Sequence, residues 1–347
     1  MISFESDYDN GAVPEILKRL AETNDERCSG YGMDKYTISA IEKIRRACGK
    51  PDADVFFLVG GTQTNTTVID SLLQGCEGVI CKSVGHISVH EAGAVEAFGH
   101  KVLVLPGEGD KITAGELDRY MSAFCADETC QHMVQPGMVY ITLPTELGAL
   151  YGRQELKDLY DVCRKYKLYL YVDGARLGYA LASPQCDYDL KFLADCCDVF
   201  YIGGTKVGAM FGEAVVFSNV RAPRYMFTII KRHGALLAKG RMLGLQFDTL
   251  FTDDLYMRIS AHAIYMAEKL KRVFKRRGVK MALDSPTNQQ FVILSAEEKE
   301  RLMSDVAFEV WQPLSNNELM CRFVTSFATT DEDLYMFDKA LEKALKR

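Results

Sequence analysis

The chain has 347 residues, of which 48% are hydrophobic, so it is long enough for two domains and can supply a sizeable core. Its formal charge of −6 and isoelectric point near 5.6 argue against a nucleic-acid or anionic-membrane binder, because neither Lys nor Arg is in excess. No apolar run approaches the roughly 18 residues of a membrane span, and residues 1–7 lack the basic start and apolar core of a secretory signal. Eleven cysteines without a C-x-x-C pair read as reduced thiols rather than a disulfide framework, so a cytoplasmic location is expected.

From Ala53 to about Phe217, short apolar runs alternate with amphipathic segments. The pattern predicts strands at residues 55–58, 78–81, 102–105, 139–143, 169–172, 199–202 and 214–217. Helical periodicity lies between several of them, at residues 65–73, 116–125 and 154–166, and Thr113 with Glu116 forms a capping box before the second helix. Such alternation predicts an α/β fold with a mostly parallel seven-stranded sheet covered on both faces. Functional loops should then gather at the C-terminal ends of the strands. The polar and glycine-rich segments fall there: Gly60-Gly61-Thr62-Gln63, residues 83–91, Pro144-Thr145-Glu146, Asp173-Gly174-Ala175-Arg176 and Gly203-Gly204-Thr205-Lys206.

After about Phe251 the texture changes. A long amphipathic helix at residues 253–277 leads to short strands near 290–294, 308–311 and 322–324, and a last helix starts near Thr330. The basic run at residues 269–280 reads as a solvated helix face. Two closely joined units are expected: residues 1–250, a large domain with an N-terminal arm, and residues 251–347, a smaller α+β domain.

Asp173 ends the apolar run Leu168-Tyr169-Leu170-Tyr171-Val172, where an uncompensated carboxylate is costly. Taken alone it reads equally well as a functional carboxylate or as a structural one, a helix cap or one half of an ion pair with Arg176. Lys206 follows two glycines that let the backbone pass close to a ligand; taken alone it reads as a surface charge. Jointly they suit pyridoxal phosphate, which needs an anion against its ring nitrogen and an amine to bond its aldehyde. Gly60-Gly61-Thr62-Gln63-Thr64-Asn65 stands between a strand and a helix, where backbone N–H groups and a hydroxyl form a phosphate cradle. The segment is neither a P-loop nor G-x-G-x-x-G. His86, His90 and Glu91 invite a metal reading, but His86 precedes the expected helix, so i, i+4 zinc spacing is not met and no metal is expected. An imidazole stacked on a flat ring suits His86 better.

These residues, in this order, resemble the threonine aldolases of the β-eliminating lyase group, a fold-type-I pyridoxal-phosphate family. The resemblance rests on Ser6-Asp7, Tyr31-Gly32, Gly61-Thr62, His86 with Glu91-Ala92-Gly93, Asp173-Gly174-Ala175-Arg176 and Gly203-Gly204-Thr205-Lys206, and extends to Arg322. It implies an aspartate aminotransferase-like large domain in which Lys206 bonds the cofactor, Asp173 pairs with the pyridinium nitrogen, Arg176 donates to the phenolic oxygen and His86 stacks on the ring. Gly61 and Thr62, with Gln63 beside them, would hold the phosphate. Ser6 and Arg322 would grip the substrate α-carboxylate, a task suited to a bidentate arginine. Tyr31 would line the site from a neighbouring subunit, and Lys231, Arg232 and Arg241 match a basic segment that binds phosphate across a dimer interface. The resemblance thus implies a homodimer or homotetramer with shared sites.

One departure stands out. Where many members of the family carry a histidine near the substrate β-hydroxyl, this chain has Leu143-Pro144-Thr145-Glu146-Leu147-Gly148, with Glu146 in its place. Glu146 then becomes a candidate base beside His86, with a structural role as its alternative. The expected activity is retro-aldol cleavage of a β-hydroxy-α-amino acid, such as L-threonine or L-allo-threonine, to glycine and an aldehyde. β-Elimination, racemisation or transamination of another amino acid is the alternative on the same cofactor, and a non-catalytic α/β ligand-binding protein is the remote one.

Overall fold

The computed structural model describes residues 2–314 and 317–346. β1 (Ile2–Ser3) opens an N-terminal arm. Seven strands of one sheet follow: β2 (Asp54–Leu58), β3 (Glu77–Cys81), β4 (Val102–Val104), β5 (Gln135–Thr142), β6 (Tyr169–Asp173), β7 (Val199–Gly203) and β8 (Glu213–Phe217). Their order across the sheet is β2-β8-β7-β6-β5-β3-β4. Neighbours from β7 to β4 are all parallel, whereas β8 runs antiparallel to both β2 and β7. The mostly parallel seven-stranded sheet expected from the sequence is present. Leu170 and Val172 of β6 belong to the core on one face, and Tyr171 to the core on the other. Burial on both faces is what makes these strands near-continuous apolar runs.

The C-terminal region adds β9 (Lys280–Met281), β10 (Gln289–Ser295), β11 (Val306–Ala307), β12 (Glu309–Pro313) and β13 (Glu318–Val324). Four of them form an antiparallel sheet in the order β12-β13-β10-β9, and β11 pairs in parallel with β1. The helices Leu255–Arg276 and Asp331–Leu345 cover that sheet around Phe274, Phe323 and Phe337. The arm joins this core: Phe4 is wholly buried there, its ring centroid 5.2 Å from that of Phe337. Residues 2–4 therefore pack with the C-terminal sheet, although they precede the large sheet in sequence.

Element ends shift where local chemistry overrides the apolar pattern. The helix expected from residue 65 starts at Gly61 and runs to Leu72; a glycine and two threonines, all poor helix formers, hide its first turn. The strand expected from residue 139 already begins at Gln135. The capping box of Thr113 and Glu116 is formed, and Thr330 caps the last helix through Asp333 N.

The parallel strands end at a common edge, so the loops after β2, β3, β5, β6 and β7 meet there. Two glycines make the tightest crossing possible. Gly203 N donates to Gly174 O at 2.9 Å. A Cβ at Gly174 would lie 2.0 Å from Tyr201 O, and one at Gly203 would lie 2.2 Å from Ala175 O. Backbone cannot yield as the tip of a flexible side chain does. Gly174→Ala is therefore expected to cost about 1–3 kcal/mol, read as a lowered thermal midpoint; an unchanged midpoint would mean the loops have slack.

Candidate active site

At the common edge of the sheet lies a cavity of about 310 Å³ lined by Gly61, Thr62, His86, Glu146, Asp173, Arg176 and Lys206. Seven of the residues singled out in the sequence thus converge from five different loops. A larger cavity of about 540 Å³ lies elsewhere, between apolar groups such as Leu177, Leu250 and Met257, and holds none of this chemistry.

Asp173 ends β6 and is buried. Its Oδ2 accepts from Tyr140 Oη at 2.6 Å and from Asn65 Nδ2 at 3.1 Å, and its Oδ1 accepts from Ala175 N at 3.0 Å. Neutral donors, rather than Arg176, hold this carboxylate. The second hydrogen of Asn65 Nδ2 goes to Glu91 Oε1 at 2.7 Å, and Asn65 Oδ1 accepts from Tyr171 Oη at 2.8 Å. Because ionised carboxylates can only accept, the Asn65 amide must turn its nitrogen toward Asp173 and Glu91, and its orientation is fixed. Glu91 Oε1 also meets His86 Nδ1 at 2.7 Å. Burial works against protonating His86, yet the hydrogen bond to Glu91 and the charges of Asp173 and Glu146 outweigh it and raise its pKa.

Arg176 forms a fork with a different acid. Its Nε and Nη2 donate to Asp7 Oδ2 and Oδ1 at 2.7 and 2.9 Å, and Asn288 Nδ2 donates to Asp7 Oδ2 at 2.9 Å. Burial opposes ionisation of Asp7, but the charges of Arg176 and Lys206 still hold its carboxyl below the usual range. Lys206 leaves the turn after β7. Among the described residues its amine has no hydrogen bond and no ion pair, and it stands 5.9 Å from the centroid of the Tyr8 ring. Burial and the nearby Arg176 charge lower its pKa against the pull of Asp7, Glu146 and Asp173. An amine so placed loses its proton more readily than a surface lysine.

The helix Gly61–Leu72 begins with extended Gly60 and no side-chain cap. The first amide it satisfies is that of Thr64, which donates to Gly60 O at 2.9 Å. The amides of residues 61–63 are the ones a helix start leaves without an intrahelical partner, and Gly61 and Thr62 line the cavity, as an anion site requires. The Gln63 side chain does not join them, because its Oε1 turns back to accept from Val59 N at 3.2 Å.

Besides Gln63, four further expected residues, Ser6, Arg322, Tyr31 and Arg241, do not line this cavity. Ser6 donates its hydroxyl to Asp9 and accepts from Tyr8 N at 3.3 Å. Arg322 is buried, with Nη1 on Gln289 Oε1 at 2.9 Å, Nη2 paired with Glu309, its Nε unpartnered, and its guanidinium 5.0 Å from the Trp311 ring centroid. Tyr31 borders a separate cavity with Phe227 and Gly240, and Lys231 Nζ stands 5.1 Å from its ring centroid. Arg241 donates to the carbonyls of Thr23 and Asn24 at 2.9 and 3.3 Å. Within one chain, Tyr31 and Arg241 are therefore occupied away from Lys206. His86 is the first residue of the one-turn helix His86–Val89 rather than preceding it.

Sequence pattern marks none of Asp7, Asn65, Tyr140 and Glu213 by itself, and it marks Glu91 as a possible metal ligand rather than as the partner of His86. Asp7 and Asn65 lie inside quoted segments but reach partners 169 and 108 residues away. A usable signal did exist for Glu213, the one charged residue opening the otherwise apolar Glu213-Ala214-Val215-Val216-Phe217. The donor set as a whole fits pyridoxal phosphate: an unengaged amine, a fixed acid across the cavity, a helix end with free amides and an imidazole on the wall.

Comparison with known proteins identifies the family of the chain. The β-eliminating lyase family model matches residues 4–304. A low specificity L-threonine aldolase of a Pseudomonas species (strain NCIMB 10558) is 33% identical over 303 residues, covering 86% of each chain, and one of Pseudomonas aeruginosa is 32% identical over 296 residues, covering 84% of each. The solved threonine aldolase of Leishmania major superposes with a TM-score of 0.94 at 39% identity over 99% of both chains. Aspartate aminotransferase from Thermus thermophilus, at 16% identity, matches 99% of this chain and 92% of its own with a TM-score of 0.69, and so shares the fold alone. With the family model spanning most of its length, the chain belongs to the β-eliminating lyase family, and its cofactor is pyridoxal phosphate.

Proposed function

We propose that this protein cleaves the Cα–Cβ bond of β-hydroxy-α-amino acids, L-threonine and L-allo-threonine among them, to glycine and an aldehyde, acetaldehyde in these two cases. The observation that carries the proposal is the single cavity in which the unpaired Lys206 amine, the fixed Asp173 carboxylate and the Glu146 carboxylate face one another. The low specificity L-threonine aldolases named above support the choice of reaction.

Lys206 would hold the cofactor through its amine, and Asp173 would face the ring nitrogen. The amides of residues 61–63 and the Thr62 hydroxyl would take the phosphate, Arg176 the phenolic oxygen, and His86 would flank the ring. When bound, the cofactor supplies a sink for the electrons of the breaking bond. The rest falls to the protein. A base must take the proton of the substrate β-hydroxyl as that bond breaks. Glu146 is the better base: among the described residues its carboxylate has no hydrogen-bond or ion-pair partner, whereas His86 has Nδ1 engaged by Glu91 and its pKa raised. Arg322 keeps an unpartnered buried Nε beside its pair with Glu309; with Ser6 it would orient the substrate carboxylate.

A homodimer or homotetramer is part of this proposal. Tyr31, Met33 and Phe227 are exposed to 45%, 65% and 45% beside the cavity that Tyr31 borders, an apolar patch of the kind a second copy covers. From such a copy, Tyr31 and Arg241 would reach the Lys206 cavity. All eleven cysteines are free, which supports a reducing, cytoplasmic setting.

Purified enzyme supplied with L-threonine or L-allo-threonine should release acetaldehyde and glycine in equal amounts; pyruvate and ammonia from a β-substituted alanine, with no aldehyde from either threonine, would overturn the reaction in favour of elimination. Glu146→Gln should lower kcat by about 10²–10⁴-fold with a much smaller effect on KM. Full activity in that variant would remove Glu146 from the proton transfer.

A further inference from the structure

β8 is the one strand of the large sheet that runs against its neighbours. Its first residue, Glu213, therefore lies at the edge where the parallel strands end, and it lines the Lys206 cavity. Glu213 is 3% exposed. Burying a carboxyl at the head of an apolar strand is costly unless its oxygens are bonded. Both are: Oε1 accepts from Thr205 Oγ1 at 2.8 Å, and Oε2 accepts from Gly204 N at 3.2 Å. Thr205 Oγ1 in turn accepts from Gly212 N at 3.0 Å. Every one of these bonds falls on the two residues that precede Lys206 or on the residue that precedes Glu213.

We propose that Glu213 is the positioning residue for Lys206: its carboxyl clamps the Gly204–Thr205 turn from which the amine enters the cavity, and its own charge state sets the field that the amine feels. The charged and titratable groups facing Glu213 are Lys206 on the turn, Asp173 and Tyr171 of β6, Tyr201 of β7 and Tyr256 of the helix Leu255–Arg276. Among the described residues no arginine or lysine forms an ion pair with it. Burial, only partly relieved by Thr205, Lys206 and Gly204, pushes its carboxyl up to about 8. Its charge therefore changes well above the ordinary carboxylate range. Above that range it becomes an anion, which favours a proton on the Lys206 nitrogen and delays the loss of that proton as pH rises.

The test is the pH titration of the visible absorption band of the holoenzyme, which reports the proton on the Lys206 nitrogen. This inference rests on the cofactor assignment and not on which bond is cleaved. Glu213→Gln keeps the shape and an acceptor oxygen but cannot ionise, so its band should titrate at a pH lower by about half a unit or more than that of the native enzyme. Thr205→Val leaves Glu213 in place and removes a donor that stabilises its anion, so its midpoint should move in the same direction by less. Native-like midpoints in both variants would overturn the proposal. A native protein that takes up the cofactor without any visible band would instead overturn the cofactor assignment at Lys206.

Discussion

The hydrogen bond from Gly203 N to Gly174 O, 2.9 Å long, binds the loop after β6 to the loop after β7, and the site depends on it. It exists only because neither residue carries a Cβ: one at Gly174 would collide with the backbone of β7, and one at Gly203 with the backbone of the loop after β6. Asp173 ends one of these strands and Lys206 follows the other by one short turn. Sheet pairing brings the strands together, but the glycine crossing closes the last distance between an acid and an amine that the sequence separates by a whole helical segment.

Around that pair the ionisable groups are assigned to partners so that two remain unengaged. Arg176 is neutralised by Asp7, and His86 by Glu91. Asp173 is held by a phenol and two amides. Asn65 stands between the two halves, giving one hydrogen to Asp173 and the other to Glu91, and so keeps two buried carboxylates in fixed positions. Lys206 and Glu146 are left without bonds among the described residues, and these are the two groups whose protons the proposed reaction would move. Buried networks of this kind are worth most when every member is satisfied. Two of the buried atoms left without a partner, the second oxygen of Glu91 and the Nε of Arg322, lie beside the residues that would meet cofactor or substrate.

Much of this was legible in the sequence, for identifiable reasons. Strands buried on both faces betray themselves as apolar runs, and a polar residue ending such a run, as Asp173 and Lys206 do, marks the functional edge. What escaped detection depended on distance or on direction. Asp7 meets Arg176 across 169 residues, and no local pattern announces such a pair. Glu213 is near Lys206 in sequence, yet its place in the cavity follows from the reversal of β8, which alternation of strands and helices does not reveal. Gln63 reads as part of the phosphate cradle, but its side chain bonds the preceding strand. Tyr31 and Arg241 match the resemblance in sequence, while in a single chain they are turned toward their own neighbours.

The central claim is that the cofactor is held by the Lys206 amine across the cavity from Asp173. Reducing the holoenzyme with borohydride, digesting it and weighing the peptides tests this most directly. The account predicts the mass of a reduced cofactor on the peptide containing Lys206 and on no other lysine. That mass on a different lysine, with the Lys206 peptide unmodified, would contradict it.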